Sequence, residues 1–183
     1  QGYSFREQTR IDQKRDRVRI GYKKSEPTRI TPDQAAALKA QPNTPQGRRD
    51  TLLLCLLLDH GLRVGEVAAL TRADFILADH ELRFFRPKVN KEQTHHLSRE
   101  TLAALTAYIN NGDAPLTGLM LRRSLKNEKL GVAGMSERAI TGRVEFLGKR
   151  LGVDILSAHD CRHFWATSAA RHGTDPFALQ EAG

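Results

Sequence analysis

The sequence predicts a mainly α domain of α+β type, carrying one small antiparallel β hairpin or sheet. Three observations predict it. Leucine-rich and alanine-rich runs at helical spacing recur from Thr31 to about His172. The pattern switches to period two only across Glu81–Leu97, on either side of a polar turn. At 183 residues and 39% hydrophobic content, the chain is long enough for one domain with a real core.

The elements follow in order. Residues 1–29 read as a basic linker or arm. Between Arg6 and Arg29 there are nine Lys or Arg against four acids and few large apolar side chains, so this segment cannot close a core by itself. Thr31 is placed to cap a first helix, Pro32 suits its first turn, and Ala35–Ala40 continue it. A loop rich in Pro, Gly and Asn is expected over Pro42–Gly47. Arg48–His60 carries a leucine stripe too apolar for a surface helix, which predicts the central buried helix, with Gly61 as its C-terminal cap. A short helix spans Val64–Leu70 and exits through Thr71–Asp74. Glu81–Arg86 and Thr94–Leu97 are the two strands, around Pro87–Glu92. Arg99–Asn110 is helical and stops at Asn111-Gly112-Asp113. Met120–Gly134 is basic and ambiguous. Ser136 caps a helix to Leu151, and Ser157 caps the last clear helix, to about His172 before Gly173. Asp175–Ala182 starts one more.

The net charge of +8 and pI near 9.9 favour an anionic partner and raise encounter rates with nucleic acid. The two cysteines, Cys55 and Cys161, have neither metal-ligand nor redox-pair spacing and read as reduced thiols of a cytoplasmic protein. No apolar stretch reaches the length of a membrane span, and Gln1–Arg29 is too polar for a signal peptide.

Chemistry is concentrated in two arginine motifs about a hundred residues apart, Gly61-Leu62-Arg63-Val64-Gly65-Glu66 and Ser157-Ala158-His159-Asp160-Cys161-Arg162-His163. Two arginines, one with a histidine a helical turn before it, can flank a phosphodiester as it gains charge. Each residue has a plainer reading too. Arg63 and Glu66 have the spacing of an ordinary helix ion pair, and lysines in a polar turn are most often solvated charges. His163, beside Phe164 and Trp165, reads as a buried structural histidine. A metal site from His159, Cys161 and His163 is disfavoured, because Cys161 points off the face the two histidines share.

In order and spacing, Ile30–Gly183 resembles the tyrosine recombinases, or phage integrase family. Gly61-Leu62-Arg63-x-x-Glu66, with Leu70 and Asp74, is similar to the family's first arginine motif. Arg86-Pro87-Lys88-Val89-Asn90-Lys91-Glu92 is similar to its lysine-bearing β turn, and His159-x-x-Arg162-His163 to its second arginine motif. The resemblance implies that residues 30–183 are a recombinase catalytic domain acting on double-stranded DNA, with no cofactor and no metal. Arg63 and Arg162 would clamp the non-bridging oxygens of the scissile phosphate. Lys88, with Lys91 as its rival, would protonate the leaving 5′ oxygen, and His159 would bond the phosphate or move the nucleophile's proton. Glu66 would orient Arg63, and Arg86 and Lys91 would contact DNA.

The family's nucleophile is a tyrosine that forms a 3′-phosphotyrosyl bond and conserves the energy of the broken diester. Tyr3, Tyr22 and Tyr108 all lie upstream of Arg162, so the sequence is expected to stop short of that tyrosine and not to cleave by itself. The intact protein is expected to assemble as a tetramer on DNA. Alternatives are a type IB topoisomerase-like enzyme and a non-catalytic DNA-binding module.

Overall fold

A computed structural model describes Glu26–Arg171. The arm upstream of residue 26, the helix end at His172-Gly173 and the helix expected over Asp175–Ala182 lie outside the described residues.

Helix α1, Pro32–Lys39, begins with a reciprocal cap: Gln34 N donates to Thr31 Oγ1 at 3.2 Å and Thr31 N to Gln34 Oε1 at 2.9 Å. Helix α2 runs from Pro45 to Leu58, so the expected loop is three residues shorter than Pro42–Gly47. The reason is local: Thr44 Oγ1 takes Gly47 N at 3.1 Å, and proline fits the first turn because its missing N–H would have had no helical partner. From Leu52 to Leu58 every residue is buried, against α1, against α4 (Arg99–Asn110) and against the last helix. Each such leucine contributes about 1.5–3 kcal/mol of transfer free energy. The all-round leucine pattern thus marks the central helix, as expected.

Helix α3, Val64–Ala69, and a 3₁₀ turn, Arg72–Asp74, lead into a three-stranded antiparallel sheet: β1 (Phe75–Ile76), β2 (Glu81–Arg86) and β3 (Lys91–His96), in that order. The hairpin is longer than predicted, with Glu81 opposite His96 and Arg86 opposite Lys91. Its turn shrinks to the 3₁₀ turn Pro87–Val89 plus Asn90, whose φ of 51° closes the reversal. Strand β1 was not expected, because two residues are too few to show a period.

The ambiguous basic stretch resolves into a second hairpin, β4 (Arg122–Ser124) and β5 (Leu130–Gly134). Polar contacts hold it. Arg49 and Asp50 of α2 are fully buried and paired at 2.6 Å, and Arg49 Nη1 donates to Arg122 O at 2.8 Å and Ser124 Oγ at 2.9 Å. On the other side Asp50 receives Arg143 Nε at 2.8 Å from α5, Glu137–Arg150. A buried pair is tolerable only with its remaining donors satisfied, and these are. Helix α6, Ala158–Arg171, closes the described part and packs Ala158 and Cys161 inward beside α2. Among the described residues no helix is long and apolar enough to cross a membrane.

Candidate active site

The site forms where α6 meets the loop between α2 and α3. Gly61 turns that loop with φ of 60°, and a Cβ there would run into the ring of Trp165. Only glycine satisfies both conditions. Leu62 is then fully buried, and Arg63 lands at the N-cap of α3, its side chain about a third exposed at 30%.

Glu66 organises what surrounds it. Its carboxylate accepts Arg63 N at 2.9 Å and Arg63 Nη1 at 3.2 Å, while Arg86 Nε donates to it at 2.8 Å. One carboxylate therefore caps α3, orients Arg63 and neutralises an arginine from the end of β2. Arg86, expected to contact DNA, is instead fully buried, with its guanidinium 5.3 Å from the Phe84 ring centre. The alternation that buries Leu82 and Phe84 carries Arg86 to the same face. Its place in the site is behind Arg63, through Glu66.

Arg162 arrives from α6, half-buried. Its Nη1 donates to Gly61 O, and its guanidinium lies 5.6 Å from the Trp165 ring centre. Burial lowers its pKa from the ordinary arginine value; the positive charges of Arg63 and Arg86 lower it further, and Glu66 opposes them. Arg63 and Arg86 thus share the Glu66 carboxylate, and with Arg162 close enough to feel all three charges the site concentrates positive charge that suits an anion.

His159 lies three residues before Arg162 on α6 and is exposed. Lys88 is exposed in the 3₁₀ turn two residues past Arg86, and Lys91 is exposed at the start of β3. The fold therefore brings Arg63, Glu66, Arg86 and Arg162 together, and sets Lys88 and Lys91 on the turn beyond Arg86. His163 corrects an expectation: it is exposed, because α6 turns Ala158 and Cys161 inward and His159 and His163 away.

Among the described residues, Cys55, Cys161 and Tyr108 are unsuited to nucleophilic work. Burial pushes the Cys55 and Cys161 thiols up to about 12, far from thiolate formation at neutral pH. Tyr108 is fully buried beside Met120 O, at 3.3 Å, and burial pushes its phenol up to about 12.

Sequence reasoning missed two contributors. Trp165, the platform for Arg162, was visible only as a neighbour of His163. The other is His95, stacked on buried His60 with ring centres 5.8 Å apart and edge-on to Phe84 at 5.2 Å. Burial, then His60 and Arg86, push His95 down to about 4, and burial does the same to His60. Both are neutral imidazoles at pH 7, so they add no charge behind the arginines.

A profile of the phage integrase family matches residues 28–183. Transposase A from transposon Tn554 of Staphylococcus aureus is 31% identical over 144 residues, covering 73% of this chain and 39% of the transposase. Tyrosine recombinase XerD of Ralstonia nicotianae is 29% identical over 157 residues, covering 84% of this chain and 51% of XerD. The chain thus spans about half the length, or less, of the relatives it matches. The XerH site-specific recombinase, solved bound to its difH substrate before cleavage, superimposes with a TM-score of 0.64 at 18% identity, over 85% of this chain and 46% of XerH. At that identity the likeness is one of fold.

Proposed function

This chain belongs to the phage integrase family of tyrosine recombinases, and on that footing we propose that it is the catalytic domain of a site-specific DNA recombinase that cuts and rejoins strands by transesterification at phosphorus. The observation that carries the reading is the junction of the two arginine motifs, with Arg162 bonded to Gly61 O and Glu66 holding Arg63.

In this reading Arg63 and Arg162 bind the two non-bridging oxygens of one phosphodiester. Their planar donor forks match phosphate geometry, and their bonds strengthen as the pentacoordinate transition state gains negative charge. Because Glu66 and Gly61 O hold them before substrate arrives, little reorganisation accompanies the reaction. A tyrosine supplied from beyond the described residues attacks phosphorus through its phenolic oxygen. The bond from phosphorus to the 5′ oxygen breaks, and a 3′-phosphotyrosyl bond forms. The phenol proton passes toward His159, and Lys88, or Lys91 in its place, gives a proton to the 5′ oxygen. Rejoining reverses these transfers, and since the ester energy is conserved the step requires neither nucleotide hydrolysis nor a metal.

Double-stranded DNA is the partner this reading requires, and the net charge of +8 suits it. Assembly of the whole protein into a tetramer on DNA, in the cytoplasm, belongs to the same proposal. Crystals of the chain grown with sulfate test the clamp: one anion within hydrogen-bond distance of Arg63, His159 and Arg162 is expected. Arginines that bind separate anions, or none, would overturn it.

A further inference from the structure

One buried carboxylate joins the site to a distant part of the chain. Asp160 is 1% exposed and sits between His159 and Arg162 on α6. Its Oδ2 accepts Ser157 N at 2.8 Å and Ser157 Oγ at 2.7 Å, and Asp160 N donates back to Ser157 Oγ at 3.2 Å, a reciprocal cap of α6. A cap would need nothing more. Yet Oδ1 accepts the backbone N–H of Thr28 at 2.7 Å, from a residue 132 positions earlier, just ahead of α1.

We propose that Asp160 is a positioning residue, tying the segment that enters the domain at Thr28 to the helical turn carrying His159 and Arg162, so that the placement of that segment sets the placement of the phosphate clamp. The inference rests on the recombinase reading above. A buried carboxylate is stable only while its charge-assisted bonds are made. If the segment at Thr28 moves, Oδ1 loses a charge-assisted bond while still shielded from water. The bond is kept if the first turn of α6 follows the segment, so a displacement of one is passed to the other. Two residues further on, Arg162 is anchored to Gly61 O, so the turn is held from both sides and a shift of one end reaches the other. Thr28 thereby reports the path of the entering segment to the two groups that face the phosphate.

The test is titration of the 183-residue chain with inorganic phosphate, followed by NMR at the Nε–H resonances of Arg63 and Arg162. Thr28→Pro removes the N–H that Oδ1 accepts and leaves both partners of the Ser157–Asp160 cap in place, and Thr28→Val, which keeps that N–H and removes the hydroxyl, is its control. Thr28→Pro is expected to move the Arg162 resonance and weaken phosphate binding there by about threefold to tenfold, as for a lost bond to a charged group. Asp160→Asn, which keeps the shape and removes the charge, is expected to weaken it by about tenfold or more. Thr28→Pro should also lower the melting temperature, by about 2–4 °C for each kcal/mol lost, so the Arg162 resonance is read well below that temperature, where the variant is folded and a shift reports position. If Thr28→Pro and Asp160→Asn bind phosphate as the parent does while Arg162→Ala does not, Asp160 is only a helix cap and the inference is overturned. If Arg162→Ala also binds normally, the clamp itself fails and takes the inference with it.

Discussion

The guanidinium of Arg162 donates to the backbone carbonyl of Gly61, two residues before Arg63, a bond between residues 101 positions apart that joins the two arginine motifs. The bond requires the loop to turn sharply at Gly61 and leave its carbonyl facing α6. Trp165, one turn further along α6, fills the space where a side chain at 61 would stand.

Gly61→Ala is therefore expected to disturb the site more than a methyl group usually would. A φ of 60° costs a non-glycine residue about 1 kcal/mol or more, and displacement of the Trp165 ring adds to it. Urea unfolding should show a loss of about 2–4 kcal/mol. A loss under about 0.5 kcal/mol would mean that neither constraint operates.

Glu66 and Arg63 should separate cleanly in stability. Glu66→Ala removes the carboxylate paired with fully buried Arg86, and breaking a buried pair costs about 3–5 kcal/mol. Arg63 pairs with the same Glu66, but its side chain is 30% exposed, so Arg63→Ala should cost about 1 kcal/mol or less. Chemical denaturation of the two variants checks the order, and equal losses would contradict the shared-carboxylate geometry.

In a cleavage assay of the whole protein, Arg63→Ala and Arg162→Ala should each lower cleavage by about 10²–10³ or more while sparing most duplex binding. The reason is that each guanidinium gains interaction energy mainly as charge builds on phosphorus. Parallel loss of binding and cleavage would instead mark them as general DNA contacts.

The lysine question has a chemical answer. If Lys88 protonates the leaving oxygen, Lys88→Ala should slow cleavage by about 10²–10⁴ on an ordinary strand. A 5′-bridging phosphorothiolate should restore the rate, because a thiolate leaves without a proton. Rescue confined to Lys91→Ala would assign the role to Lys91.

Acid should destabilise the fold through His60 and His95. Each has a folded pKa of about 4 against 6.5 for the free side chain. Above 6.5 both states are neutral and the pair costs nothing; as pH falls from 6.5 to about 4, the unfolded chain binds protons that the folded one refuses, so stability drops. Melting temperature across that window should fall less in a His60→Gln/His95→Gln variant than in the parent. Identical slopes would place the acid sensitivity elsewhere.

Parts of this protein were legible early because they depend on local physics. A leucine pattern too dense for a surface helix can only be buried, and the hydroxyls of Thr31, Ser98 and Ser136 at the starts of α1, α4 and α5 accept backbone N–H groups within a few residues. The two arginine motifs stood out as residue types in order. Strand β1 and the hairpin of β4 and β5 did not, since one is too short for a period and the other is held by Arg49 rather than by its own apolar face. Arg86 could have been read correctly: period-two alternation from Leu82 and Phe84 places it inside.

By itself, then, the sequence determined the helices, the hairpin and the identity of the groups that suit phosphate. Only the tertiary structure decided which of them face solvent and which hold the others in place. Burial, charge pairing and the exposure of His163 depend on contacts between residues as far apart as Thr28 and Asp160 or Gly61 and Arg162. Local propensity acts over a few residues, whereas the cost of burying a charge is set by whatever the whole chain brings beside it.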